Sequence, residues 1–147
     1  MNALLNAIAD TVDCTGAQTR NNYWNELYQY AGRHETSCEK QILASGCDTA
    51  AKETLDALES RWKRLSFFTR SGEMENDRMR VIMFLIPMLL RSDRPECKAF
   101  AETFRDGWSL RFPKRAFRIL SAEEIAAGFR KRPLDINWKH ILGGTRE

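Results

Sequence analysis

The sequence predicts an all-α protein: a single-domain bundle of five to seven helices around a buried central helix at about 73–91, kinked at Pro87. Three observations predict it. Val81 to Leu90 passes ten residues without a charge or a hydrogen-bonding side chain, between Arg80 and Arg91, and a helix apolar all round has to be surrounded. The segments on either side carry apolar residues at three- and four-residue spacing, one stripe each to lay against that run. The chain also holds only 8 Gly and 4 Pro in 147 residues, which argues against a loop-rich sandwich. Its length suits one domain with a real core, and 43% apolar against 29% charged residues is the balance of a globular protein. As a helix the apolar run would span about 15 Å, half of a ~30 Å bilayer core, so it is not read as a membrane span.

Leu4, Leu5, Ile8, Ala9 and Val12 share one helical face, which predicts a short helix over 3–13 with Gly16 beyond its end. A long helix follows over 19–45, striped by Trp24, Leu27, Tyr28, Ala31, Cys38 and Ile42; Gly32 weakens it, and Gly46 stops it. Asp48 or Thr49 caps the next helix, near 49–68. Its stripe of Ala51, Leu55, Leu58, Trp62 and Leu65 is the cleanest in the chain, and Ser71-Gly72 reads as the turn after it.

Glu73 and Glu75 then stand where acids favour a helix start. That helix runs to about Leu90 and contains Pro87, whose missing N–H frees the Met83 carbonyl and predicts a kink. Asp93 with Glu96 three residues on reads as an acidic capping box, with Pro95 in the first turn. Phe100, Phe104 and Trp108 stack at four-residue spacing along this helix, beside Cys97 and Ala101, and Gly107 weakens its last turn. Residues 110–120 fit either an extended segment or a short helical turn. Ser121-Ala122-Glu123-Glu124 is a capping box for a helix over 122–130, and Leu134, Ile136, Trp138, Ile141 and Leu142 suit one or two further turns before a polar tail at 143–147.

Charge is unevenly placed. Residues 1–75 hold 8 Lys/Arg and 11 Asp/Glu, whereas residues 76–147 hold 15 and 9. Within 105–132, Arg105, Arg111, Lys114, Arg115, Arg118, Arg130, Lys131 and Arg132 are opposed only by Asp106, Glu123 and Glu124, and Phe112, Phe117 and Phe129 are interleaved. Such a segment suits phosphate contacts. Leu120 to Ala127 resembles the first helix of many helix-turn-helix motifs, which would make 134–142 the reading helix. The turn from Gly128 to Pro133 is out of register with that pattern, and the second helix offers only Asn137, Lys139 and His140 to a base.

Catalytic signatures are missing from the sequence: no Gly-x-Ser-x-Gly, no Gly-x-Gly-x-x-Gly and no phosphate loop. His34 and Cys38 share a helical face and come nearest to a metal pair, but zinc needs three or four ligands, and no second Cys/His cluster accompanies them. Cys14, Cys38, Cys47 and Cys97 are widely spaced, and Met1 to Asn6 lacks a basic signal region, so reduced thiols and a cytoplasmic address are expected. Arg61 to Arg70 is basic and aromatic, as interfacial helices can be, yet Trp62 and Leu65 continue the core stripe. No cofactor, metal or membrane partner is expected. The sequence therefore predicts a non-enzymatic helical protein acting through a protein partner or a second copy of itself. Phe67, Phe68, Phe112 and Trp138 are its interface candidates. The alternative is nucleic-acid or anion binding through Arg111, Lys114, Arg115, Arg118, Arg130, Lys131 and Arg132.

Overall fold

A computed structural model describes residues 2–10 and 23–121, with side chains described for 2–10 and 33–121. The described residues are all-α. Helix α1 spans Ala3–Ala9, α2 Tyr23–Ser45, α3 Cys47–Lys63 and α4 Phe67–Arg80; a π-helical turn, Val81–Leu85, leads into α5, Ile86–Leu90; α6 spans Pro95–Arg111, and a 3-10 turn covers Pro113–Arg115. None of these helices is long and apolar enough to cross a membrane.

Helix α1 is short, and its start is held by side chains outside it. The Asn2 side chain accepts from the Leu5 N–H at 2.8 Å, and Gln41 on α2 accepts from the N–H groups of Ala3 and Leu4 at 2.6 and 3.3 Å. Three of the four N–H groups that a helix start leaves open are thereby satisfied. The helix predicted over 3–13 ends at Ala9, and the residues predicted to complete it from 11 lie outside the described ones.

Gly46 stops α2 as expected, in a left-handed conformation (φ 86°) that glycine adopts without penalty. It also serves directly as the N-cap of α3, which therefore begins at Cys47 and not beyond an Asp48 or Thr49 cap; Asp48 instead sits in the first turn. The stripe of α3 is buried as read: Ala51, Leu55, Leu58 and Trp62. Helix α6 runs beside it in the same direction. The Cys47 thiol donates to the Glu96 carbonyl near their starts, and Trp62 meets Trp108 near their ends. Gly107 permits a close crossing, since a Cβ there would stand 2.7 Å from Leu55 Cδ1.

The apolar run is buried as expected: Val81 to Ile86, Met88 and Leu89 all lie in the core. The irregularity at this point of the helix is the π-helical turn just before Pro87. The Ile86 N–H reaches five residues back to the Val81 carbonyl. This widening precedes the ring, which in a regular helix would clash with the carbonyl four residues earlier. Helix α6 starts at Pro95 with Arg94 as N-cap and no side-chain cap, so Asp93 and Glu96 do not form a capping box; the proline occupies the first turn as read. The ambiguous 110–120 is the end of α6, the 3-10 turn and chain without regular secondary structure, with Phe117 and Leu120 buried. The helices predicted over 122–130 and 134–142, and the helix-turn-helix likeness, lie outside the described residues.

Candidate functional site

The helix predicted over 49–68 breaks at 64–66, and the break creates the most unusual surface among the described residues. Helix α3 ends at Lys63 and α4 starts at Phe67, so Ser71 and Gly72 lie inside a helix and are not the turn. The chemistry of the break is local. The Ser66 hydroxyl accepts from the Thr69 N–H at 3.3 Å and pairs with the Thr69 hydroxyl at 2.9 Å, capping α4. Arg70 folds back so that its guanidinium donates to the carbonyls of Trp62, Lys63 and Leu65 at 3.0, 3.4 and 3.0 Å. One arginine thus ties together the last two carbonyls of α3 and one in the turn that follows it.

A buried carboxylate fixes the two helices on either side of this turn. Asp77 of α4 is fully buried and accepts from Arg61, from Trp62 Nε1 at 2.7 Å and from Arg80 Nη1 at 2.9 Å. Burying a carboxylate is tolerated only with such partners. Arg78, also buried, donates to the carbonyls of Arg115 and Ala116 at 2.8 and 2.7 Å and to Glu75 at 3.1 Å. Those bonds hold the chain after α6 against α4. Trp108 Nε1 donates to the same Arg115 carbonyl at 2.9 Å.

Around this clamp the aromatic side chains divide sharply. Trp62, Trp108, Phe112 and Phe117 pack in edge-to-face pairs with centroids 5.0–5.7 Å apart. Phe100 and Phe104 extend the cluster along α6. Phe112, an interface candidate from sequence, is therefore half-buried and packed between two tryptophans. Phe67 and Phe68 behave in the opposite way. They are 81% and 92% exposed and touch each other edge to face at 5.8 Å. Trp138 lies outside the described residues. Leu110, 84% exposed at the end of α6, is an outlying apolar side chain that periodicity did not single out.

The basic candidates also separate. Arg111 is bound to Asp56 and Glu59 of α3 at 2.8 and 2.7 Å. Arg115 is bound to Glu75 and to the Ser71 hydroxyl at 2.9 and 2.8 Å. Hydrogen bonds from Lys52 and Arg111 lower the Asp56 carboxyl below its ordinary value. Lys114 is exposed and Arg118 half-buried, while Arg130, Lys131 and Arg132 lie outside the described residues. Near the exposed phenylalanines, Lys63 and Arg64 are exposed as well, and neither forms an ion pair among the described residues.

His34 and Cys38 do not converge on a metal-ligand set. His34 Nε2 lies 3.5 Å from Asp10, whereas the Cys38 thiol is fully buried and donates to the Ala3 carbonyl at 3.7 Å. Burial pushes that thiol up to about 12, with further help from Cys97, Glu35 and Glu39, so it stays protonated. Burial also raises the thiols of Cys47 and Cys97. Among the described residues no group of three or more His, Cys, Asp or Glu side chains is placed to hold an ion. An open cleft of about 620 Å³ lies among the start of α1, α2 and α3, lined by Asn2, Ser37, Gln41, Ser45 and Glu53. The Gln41 carbonyl oxygen there is already taken by α1.

Comparison with family models, with curated proteins and with solved structures found no match.

Proposed function

We propose that this protein is a cytoplasmic docking protein that acts by binding another protein, with no catalytic machinery of its own. Its contact surface is the turn between α3 and α4. The observation that carries the reading is the exposure of two adjacent phenylalanines, Phe67 and Phe68, on a rigid support. A lone exposed apolar side chain means little, but large aromatic rings held together on a fixed backbone resemble the anchors of protein interfaces. The Ser66 cap, the Arg70 tie and the Asp77 clamp supply the rigidity. Little ordering entropy would remain to be lost on binding. Nucleic-acid binding has less support, because Arg111 and Arg115 already spend their guanidinium groups on carboxylates.

Site-specific photocrosslinking in the cells that make the protein tests this. A benzoylphenylalanine at position 68 is expected to yield a discrete protein adduct. The same group at Lys52, exposed on α3, is expected to yield none. Equal adducts from both positions, or adducts only to nucleic acid or lipid, would contradict the reading.

A further inference from the structure

We infer that the docking partner presents an acidic surface with apolar side chains at its centre, and that it is not a second copy of this chain meeting the same pole. The inference rests on the docking reading above and adds the chemistry of the partner. The ends of α3 and α6, the start of α4 and the 3-10 turn lie together, because Trp62 packs on Trp108 and Phe112, and Arg115 reaches Ser71, one helical turn from Phe67. The two segments that form this pole, 61–70 and 110–118, hold eight Lys/Arg and no Asp/Glu.

The carboxylates that face them come from α3 and α4. Asp56 and Glu59 are engaged by Arg111, Glu75 by Arg78 and Arg115, and Asp77 by Arg61 and Arg80. Glu73 is the one remaining acid in the first two turns of α4. With Arg78 and Arg80 included, ten cations against these five carboxylates leave the pole positive, and exposed Lys63, Arg64 and Lys114 make no ion pair among the described residues. Two copies apposed at this pole would bring like charges together around the phenylalanines. An acidic rim on another protein would instead be attracted and steered.

The geometry also chooses among anionic partners. The rings of Phe67 and Phe68 meet at 80°, so they do not offer parallel platforms for successive bases. Along α4 the positions one turn beyond them are Ser71 and Gly72, so the apolar patch is a single turn long. A helix lying in a lipid interface needs a continued apolar face. A short aromatic knob ringed by cations fits a pocket with an acidic rim.

The test uses the full chain and two fluorescent 16-residue helical peptides with Leu and Trp on one face. One carries Glu on its other face, the other Gln. Binding is followed by anisotropy, with phosphatidylserine vesicles and a 20-mer of thymidine as competing probes and sedimentation equilibrium for self-association. The Glu peptide is expected to bind at least about tenfold tighter than the Gln peptide at low salt, and high salt is expected to erase the difference. Lys63→Ala/Arg64→Ala/Lys114→Ala should remove that preference, and Phe67→Ser/Phe68→Ser should weaken both peptides; unchanged Trp fluorescence checks the fold. Equal binding of the two peptides, with both lost in the phenylalanine variant, would overturn the acidic partner and leave docking standing. Binding that ignores the phenylalanine variant would overturn both readings. Tighter binding to vesicles or thymidine, or a dimer dissolved by the phenylalanine variant, would also overturn the inference.

Discussion

Trp62 and Phe67 are five residues apart and meet opposite fates. Trp62 is buried, bonded through its indole N–H to Asp77 and packed on Trp108 and Phe112. Phe67 and Phe68 stand in water. Intrinsic hydrophobicity does not separate the two groups. The separation comes from the break at 64–66, which ends one helix at Lys63 and starts the next at Phe67. In a continuous helix the spacing that buries Trp62 and packs Leu65 against the core would also govern the residues that follow. The Ser66 cap and the Arg70 tie stabilise the break, and exposure of the two phenylalanines follows from it. Burying such a ring is worth roughly 1.5–3 kcal/mol, a gain that the isolated fold leaves unused and that a partner would recover.

The largest effects are expected among the buried side chains. Trp108→Ala removes a fully buried ring that touches Phe104, Phe112 and Phe117. Loss of about 3–5 kcal/mol is expected in urea unfolding. Asp77→Ala leaves Arg61, Arg80 and the Trp62 indole without their shared acceptor. Breaking a buried pair in this way costs about 3–5 kcal/mol, and the turn should loosen with it, seen as faster amide exchange at 64–70. A stability change below about 1 kcal/mol in either variant would mean that the clamp and the aromatic cluster do not hold the turn.

Alkaline titration sharpens the same contrast. Cys38 is protonated in the fold up to about 12, against an ordinary value of 9.0. The folded state therefore binds more protons than the unfolded chain between those values, so this thiol's contribution is complete below pH 9 and is lost as pH rises toward 12. Wild type is expected to lose more stability than Cys38→Ala over pH 9–12, measured by urea midpoints at each pH. Equal losses would place the thiol in contact with water. A smaller effect is expected from Ser66→Ala, which removes the cap of α4 and should cost about 1 kcal/mol.

Much of the fold could be read from residue order because its causes are local. The stripe from Ala51 to Trp62, the proline at the start of α6 and the uncharged run from Val81 to Leu90 announce burial by spacing and composition alone. The break at 64–66 was hidden because Leu65 continues the three- and four-residue rhythm of α3, so the periodic signal runs across the point where the helix stops. Ser66 with Thr69 three residues on was the available sign, but it lacks the Glu or Gln of a full capping box. Gly72 misled in the opposite direction. It sits on an open helical face where a Cβ would meet nothing, and the ~1 kcal/mol that glycine costs a helix is outweighed by packing elsewhere along α4. Asp77 was concealed by distance, since its partners Arg61 and Trp62 lie on another helix. A run of acids before an apolar segment reads as ordinary helix-start chemistry until the chain is folded.

Docking through this turn requires that Phe67 and Phe68 contribute nothing to the core. The unfolding free energy of Phe67→Ser/Phe68→Ser, measured in urea against wild type, tests it most directly. Exposed rings predict a change within about 0.5 kcal/mol of zero, whereas a loss of about 2 kcal/mol or more per ring would show that both are buried and would remove the docking surface.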